Sequence, residues 1–260
     1  MSFIDELRSG RPLPMDGGMG TELMRRGHVG PTWRANLEAP ELVRAIHADY
    51  VAAGARVLLT NTFMFPPDLE PIRSAGRHAR SQGAYVLGAF GPDFLDAPTL
   101  FYAIDALGEV DGLLLETCSS PTAFDLVGRI HGRNPRMPIL ASFAFQANGL
   151  TFTGQTPEEI ARAAEGVVAL GANCGVGLSP ADFAAILRRF RSATSLPLFA
   201  RPNAGSPTRV GDKWTYPLDA QTWAEQTAAL QDAAMLGGCC GTGPDHVGRL
   251  ARLLGAPRSG

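Results

Sequence analysis

The chain has 260 residues, of which 45% are hydrophobic and 18% charged, so it can bury a sizeable core in one large domain or two modest ones. Its 23 basic and 25 acidic residues give a net charge of −2, which argues against nucleic-acid and membrane-surface partners. The N-terminus lacks the positive start and apolar core of a signal peptide, and no apolar run approaches the ~18 residues of a membrane span. We therefore expect a cytoplasmic protein whose four cysteines are metal-binding or catalytic thiols rather than disulfides.

Short apolar segments alternate with longer amphipathic segments along the chain. The apolar segments predict strands at 13–16, 56–62, 85–91, 112–117, 138–145, 172–177, 197–203 and 233–240. Apolar residues at three-to-four spacing predict helices near 40–54, 67–83, 98–109, 121–133, 157–170, 180–193, 219–231 and 244–254. Near-continuous apolar strands joined by helices are typical of a parallel sheet that is buried on both faces.

Eight strand–helix units in 260 residues predict a compact (β/α)8 barrel. A doubly wound open sheet is the alternative, but no GxGxxG motif opens the first unit. No linker or low-complexity segment interrupts the pattern, so residues 1–260 are predicted to form a single domain.

Polar residues stand at the carboxyl ends of the predicted strands, which meet at one mouth in a barrel. They are Asp16, Asn61, Thr62, Glu116, Thr117, Asn173, Cys174, Asn203, Cys239 and Cys240. If the barrel forms, this arrangement brings Cys174 close to the Cys239–Cys240 pair.

The adjacent cysteines at 239 and 240 lie between glycines in the stretch LGGCCGTGPDH. Neighbouring side chains of a regular strand point to opposite faces, so both thiols reach one point only if Gly237, Gly238 and Gly241 let the backbone bend. The pair could also pack as small buried hydrophobes, whereas a disulfide between neighbours would be strained. With Cys174 the pair makes a three-sulfur site with one open position, which is typical of catalytic zinc. Sulfur-only ligation favours thiol chemistry over hydrolysis, because zinc hydrolases more often use histidine and carboxylate ligands.

The sequence also resembles a known family across nearly its whole length. The matching motifs, in family order, are MDGGMGTEL at 15–23, TNTF at 60–63, ETC at 116–118, TGQT at 153–156, ANC at 172–174, RPNAG at 201–205 and GGCCGTGPDHV at 237–247. This ordered set resembles the homocysteine S-methyltransferases, which include the homocysteine-binding module of cobalamin-dependent methionine synthase and betaine–homocysteine methyltransferase. The resemblance implies zinc-dependent methyl transfer to homocysteine inside a (β/α)8 barrel.

The resemblance also implies roles for individual residues. Cys174, Cys239 and Cys240 resemble the zinc ligands, and Asn203 resembles the residue that can hold the fourth zinc position before homocysteine arrives. The residues that resemble the family's substrate-binding set are Asp16 and Glu116 for the ammonium group, and Gly17, Gly18 and Thr62 for the carboxylate. The two carboxylates could instead cap strand ends or form ion pairs. Cys118 lies two residues after Glu116, so strand alternation predicts a bystander thiol on the same face.

The methyl donor is the less determined half of the reaction. Segments 63–84 and 92–111 are shorter than in the family, and position 117 is threonine where the betaine enzymes carry tyrosine, which argues against betaine. The expected partners are homocysteine and a donor: S-methylmethionine, S-adenosylmethionine or a corrinoid protein. The alternative function is a non-catalytic zinc- or homocysteine-binding module or a subunit of a larger corrinoid assembly; a zinc hydrolase is a distant third.

Overall fold

Parallel strands form the centre of the fold in the computed structural model, which describes residues 1–64, 68–91, 97–211 and 213–255. The strands of the central sheet are β1 Leu13–Pro14, β2 Val57–Leu59, β3 Tyr85–Phe90, β4 Gly112–Cys118, β5 Ile139–Phe143, β6 Ala169–Cys174, β7 Leu198–Pro202 and β10 Ala233–Leu236. A separate antiparallel hairpin joins β8 Thr208–Val210 to β9 Lys213–Thr215.

The central sheet closes on itself. Its strands are hydrogen-bonded in the order β1-β10-β7-β6-β5-β4-β3-β2, and every pair is parallel. A parallel bridge between Met15 and Val57 joins the two ends, supported by a 2.8 Å bond from the Arg56 N–H to the Pro14 carbonyl. The fold is therefore a (β/α)8 barrel, as predicted.

Helices surround the barrel and connect successive strands. The helices are α1 Phe3–Leu7, α2 Met19–Arg25, α3 Ala35–Glu38, α4 Pro40–Ala52, α5 Glu70–Arg80, α6 Ala97–Leu107, α7 Ala123–Arg133, α8 Pro157–Ala163, α9 Phe183–Arg191, α10 Ala220–Ala228 and α11 Pro244–Leu253. Thr156 caps α8 with a full capping box, and Asp219 accepts the first amides of α10. None of the helices within the described ranges is long and apolar enough to cross a membrane.

The sixth unit differs from its predicted bounds. The strand was expected at 172–177, but β6 runs from Ala169 to Cys174, and the preceding helix ends at Ala163 rather than 170. Alanine and glycine in this strand have low β-propensity, so the sequence pattern did not reveal its start. The strand ends at Cys174 because this residue and Gly175 both adopt positive φ, 58° and 91°.

The apolar core has two layers. Inside the barrel, alternate strand residues fill the interior, among them Met15, Leu114, Leu140 and Phe199. Outside it, the opposite strand faces pack against the surrounding helices. Because the apolar residues of each strand precede its polar end, the interior is filled below the mouth and the functional groups collect above it.

Candidate metal and substrate site

Polar side chains converge at the carboxyl ends of the strands, as the sequence predicted. The buried ones are Asp16, Asn61, Thr62, Glu116, Ser142, Asn173, Arg201 and Asn203. Buried polar groups are costly unless they are paired, so their partners indicate how the site is built.

Three thiols meet at this mouth. The sulfur atoms of Cys174, Cys239 and Cys240 all lie within 4.8 Å of one another, and those of Cys239 and Cys240 are 4.0 Å apart. Zinc–sulfur bonds of about 2.3 Å at tetrahedral angles place ligand sulfurs about 3.8 Å apart. The three thiols therefore fit one metal ion with little rearrangement.

The loop that carries the cysteine pair is held by backbone bonds to both neighbouring strands. The Gly238 N–H donates to the Asp16 carbonyl at 2.9 Å, and the Cys239 N–H donates to the Pro202 carbonyl at 3.0 Å. A Cβ on Gly238 would lie 2.1 Å from the Thr242 hydroxyl oxygen, and Gly241 adopts a φ of 82°. The bend that the glycines were predicted to allow is therefore required by close packing and by backbone conformation.

Asn203 links the two cysteine segments. Its Oδ1 accepts the Cys240 N–H at 3.0 Å, and its Nδ2 lies 3.6 Å from the Cys174 sulfur and 3.4 Å from the Gly175 carbonyl. The side chain is buried and borders the sulfur cluster, where the sequence placed it. The side-chain oxygen of Asn203 is hydrogen-bonded to the backbone of Cys240, a predicted metal ligand.

The thiols resist ionisation on their own. The contact with Cys239 lowers the pKa of Cys174, but hydrogen bonding with Cys240 together with burial raises it to about 11 overall. For Cys240, the contact with Cys174 lowers the pKa, while hydrogen bonding with Cys239, its charge and burial raise the pKa to about 12. Three close thiolates repel one another, so a bound cation would stabilise the ionised cluster.

A buried ion-pair cluster lies beside the sulfurs. The Arg201 guanidinium donates to Glu116 Oε1 at 2.7 Å, to Asp16 Oδ1 at 2.8 Å and to the Gly17 carbonyl at 3.3 Å. The second oxygen of Asp16 accepts the Leu59 N–H at 2.7 Å. Asp16 and Glu116 thus converge as predicted, and both form ion pairs with one arginine.

Burial and the charges of neighbouring groups oppose each other in this cluster. It raises the pKa of Asp16 to about 7, although the charge of Arg201 opposes the shift. Burial also raises the pKa of Glu116, again against the influence of Arg201. Burial lowers the pKa of Arg201, but the charges of Glu116 and Asp16 raise it above its ordinary value overall. With both carboxylates ionised, the cluster carries one net negative charge.

Asn173 connects the ion-pair cluster to the sulfurs. Its Oδ1 accepts from the Ser142 hydroxyl at 2.7 Å and the Thr117 N–H at 3.0 Å. Its Nδ2 lies 2.8 Å from the Thr117 hydroxyl, 3.5 Å from Glu116 Oε1 and 4.0 Å from the Cys239 sulfur. One side-chain amide therefore separates the carboxylate from the thiol.

A bulge at the end of β4 turns Cys118 away from the mouth. The pairing with β5 shifts register between Leu115 and Cys118, and Thr117 adopts a φ of 65°, which is uncommon for a β-branched residue. The bulge breaks strand alternation, so the expectation that Cys118 shares a face with Glu116 is wrong. Cys118 is buried in the outer core, 3.6 Å from the Leu115 carbonyl.

Residues predicted to bind the substrate carboxylate lie at the mouth but have internal partners. The Gly18 N–H donates to the Thr242 hydroxyl at 3.1 Å and to its carbonyl at 3.2 Å. The Thr62 hydroxyl donates to the Ala89 carbonyl at 2.7 Å. A Cβ on Gly17 would lie 2.8 Å from the Tyr50 hydroxyl, so the glycine is required for close packing.

Arg201 has a central place that the sequence did not predict, and Asn173, which was predicted at the mouth, has a connecting role that was not assigned to it. Both lie in otherwise apolar segments, and a lone arginine at the end of the run PLFAR was the available signal. They are register partners across β6 and β7, a relation that only strand pairing reveals. His246 lies in the first turn of α11, as expected, and takes no part in the sulfur cluster.

A sequence profile described as homocysteine S-methyltransferase matches residues 13–92 and 96–254. The chain belongs to the homocysteine S-methyltransferase family. The resemblance to this family that was stated from the motifs is confirmed.

Relatives and solved structures agree with this assignment. The methionine synthases of Mycobacterium tuberculosis and Mycobacterium leprae are 30% and 28% identical over 96% and 94% of this chain. The chain spans about a quarter of the length of these relatives, 25% and 24%. The metallated form of the homocysteine methyltransferase MmuM from Escherichia coli has the same fold, with a TM-score of 0.78 and 24% identity over 95% of this chain and 99% of that one.

Proposed function

We propose that the protein is a zinc-dependent homocysteine S-methyltransferase that transfers a methyl group from an onium or corrinoid donor to the homocysteine sulfur, forming methionine. The observation that carries the proposal is the three-cysteine cluster, which lies one amide side chain away from a buried carboxylate. A thiol-binding centre beside an ammonium-binding group matches the two ends of homocysteine.

Cys174, Cys239 and Cys240 are the proposed zinc ligands, held by the end of β6 and the loop after β10. Bound zinc would supply the positive charge that keeps the substrate sulfur a thiolate at neutral pH. Asn203 fixes the relative position of the two cysteine segments through its bonds to Cys240 and Gly175. Sulfur-only ligation by these residues is the chemical reason for proposing zinc.

The amino-acid end of homocysteine is proposed to lie against Asp16 and Glu116. Glu116 is the better ammonium acceptor of the two, because both Asp16 oxygens already accept bonds from Arg201 and Leu59. Gly17, Gly18 and Thr62 line the same end of the site. Anchoring this end while the cysteines fix the sulfur orients the nucleophile for in-line attack, which lowers the entropic part of the barrier.

We propose that the demethylated donor leaves as a neutral group. The sulfonium donors S-methylmethionine and S-adenosylmethionine release a neutral thioether, so no residue needs to protonate the leaving group. A methylated corrinoid on a partner protein makes no such demand either.

The deciding experiment is methyl transfer by the purified zinc-loaded protein. S-methylmethionine, S-adenosylmethionine, betaine and methylcobalamin are each supplied with homocysteine, and methionine is quantified. We expect turnover with at least one sulfonium or with methylcobalamin, and none with betaine. Binding of zinc and homocysteine without methionine from any donor would contradict catalysis.

The second candidate is a homocysteine-binding module of a larger assembly. The chain's span of about a quarter of the methionine synthases is the observation that favours it. In that case residues 1–260 act as one homocysteine-binding domain, and methyl transfer requires a corrinoid protein supplied separately. Adding a methylated corrinoid protein to the assay separates this candidate from a self-sufficient enzyme.

A further inference from the structure

Asn173 lies in β6 but holds the end of β4, two strands away in the sheet. Its Oδ1 accepts the Thr117 N–H at 3.0 Å, and its Nδ2 donates to the Thr117 hydroxyl at 2.8 Å. From the intervening strand β5, the Ser142 hydroxyl donates to the same Oδ1 at 2.7 Å. One buried side chain therefore joins three strands at the mouth of the barrel.

The backbone around this side chain is strained. Thr117 and Cys174 are the two non-glycine residues with positive φ in the described part of the chain, at 65° and 58°. Such conformations are unfavourable for residues with a Cβ and persist where the surrounding contacts enforce them. Asn173 makes two hydrogen bonds to Thr117 and directly precedes Cys174, so it lies at the junction of both strained positions.

The two strained positions adjoin the two halves of the proposed substrate site. Glu116 directly precedes Thr117, and Cys174 is itself a proposed zinc ligand. Asn173 Nδ2 lies 3.5 Å from Glu116 Oε1 and 4.0 Å from the Cys239 sulfur. A single nitrogen atom therefore lies between the proposed ammonium acceptor and the sulfur cluster.

We propose that Asn173 is a positioning residue that fixes the separation between Glu116 and the metal-binding sulfurs, and that this separation makes the site select homocysteine over cysteine. The inference rests on the proposed function, because it needs the substrate ammonium group at Glu116 and the substrate sulfur at the cysteine cluster. Cysteine is one methylene shorter than homocysteine. It cannot reach both groups without a displacement of about 1 Å, and misplacements of that size are costly where both ends of a ligand are held.

The test measures how tightly homocysteine and cysteine bind to the zinc-loaded protein. Both thiols are titrated by calorimetry into the wild type, Glu116→Gln, Asn173→Ser, Thr117→Ala and Ser142→Ala. Ser142→Ala is the matched control, because it removes one hydrogen bond from Asn173 Oδ1 and leaves both contacts with Thr117 in place. Circular dichroism and zinc content verify that each variant is folded and loaded.

The wild type should bind homocysteine about tenfold or more tightly than cysteine. Glu116→Gln should weaken homocysteine binding about tenfold or more but cysteine binding about twofold or less, because only homocysteine reaches both groups.

Asn173→Ser releases the end of β4, so the preference for homocysteine should fall to within about threefold. Thr117→Ala removes the hydroxyl that Asn173 Nδ2 contacts and should lower the preference in the same direction. Ser142→Ala should keep the wild-type preference within about twofold.

Equal affinity of the wild type for homocysteine and cysteine would overturn the proposal, even if Asn173→Ser does not fold. An unchanged preference in Asn173→Ser, or in Thr117→Ala where Asn173→Ser does not fold, would also overturn it. A uniform loss of affinity for both thiols belongs to this second result, since it leaves the preference unchanged and assigns Asn173 a structural role alone. Failure of the proposed function is distinct: neither thiol would bind, or bound homocysteine would never be methylated.

Discussion

Glu116→Gln separates substrate recognition from stability at the barrel mouth. Glu116 Oε1 accepts the Arg201 guanidinium at 2.7 Å inside the protein, and Asp16 remains to pair with Arg201 when the Glu116 charge is removed. The glutamine carbonyl can still accept the hydrogen bond from Arg201, but the acceptor is then neutral. A hydrogen bond to a neutral acceptor stabilises the folded protein by about 1 kcal/mol less than one to a carboxylate. Relief of carboxylate burial offsets part of this loss, because burial raises the Glu116 pKa. We therefore expect the free energy of unfolding to change by about 1 kcal/mol or less.

The effect on homocysteine should be larger than the effect on stability. The ammonium group loses a charged partner, which costs about 1.5–3 kcal/mol and weakens binding about tenfold to a hundredfold. Calorimetry gives the affinity, urea unfolding gives the stability, and zinc content should stay at one per chain. Glu165→Gln, at an exposed glutamate, is the matched control. Unchanged homocysteine affinity in a folded, zinc-loaded Glu116→Gln would refute the assignment of the ammonium group to Glu116.

Further outcomes follow from other parts of the structure. Cys239→Ser should lose zinc and methyl transfer, whereas Cys118→Ser should keep both, because Cys118 lies in the outer core. Metal analysis and an activity assay test this prediction, and a full zinc content in Cys239→Ser would refute the site. Homocysteine binding should release about one proton per site near pH 7, which calorimetry in buffers of different ionisation enthalpy measures. It should also raise the number of sulfur ligands at zinc from three to four, which X-ray absorption measures. Asp16→Asn should cost about 1–3 kcal/mol of stability in urea unfolding, since the amide nitrogen cannot accept the bond from Leu59 or Arg201; an unchanged stability would contradict the role of these contacts. Burial lowers the pKa of His47 to about 3 in the folded protein, against about 6.5 in the unfolded chain. Between these two pH values only the unfolded chain binds the proton, so the stability of the folded protein falls as the pH falls. His47→Leu should therefore remove about 2 kcal/mol of the loss between pH 7 and 5, with His28→Gln as control; an equal acid slope in both variants would contradict this.

The barrel and the metal-binding thiols could be predicted from local sequence patterns. Buried parallel strands are apolar along their whole length, so the runs at 85–91 and 112–117 marked β3 and β4 almost to the residue. A barrel places all strand ends at one mouth, so the fold alone predicted that Cys174 would meet Cys239 and Cys240. The hairpin of β8 and β9 was not predicted, because its short strands follow no alternating apolar pattern.

The charge balance of the substrate end was decided by tertiary structure. Strand pairing sets Arg201 beside Asn173, and the guanidinium reaches Glu116 and Asp16, which are 85 and 185 positions away in sequence. The sequence allowed ion pairs for Asp16 and Glu116, but only the folded chain shows that one arginine pairs with both carboxylates. Glu116 lies on the inner face that alternation from Leu114 predicts, but a bulge at Thr117 turns Cys118 away from the mouth, against strand alternation. The hydrophobic periodicity of the sequence shows which residues are buried. The pairing of buried charges depends instead on strand register and local backbone geometry, because Coulomb interactions and hydrogen bonds act over a few ångströms between residues that are distant in sequence.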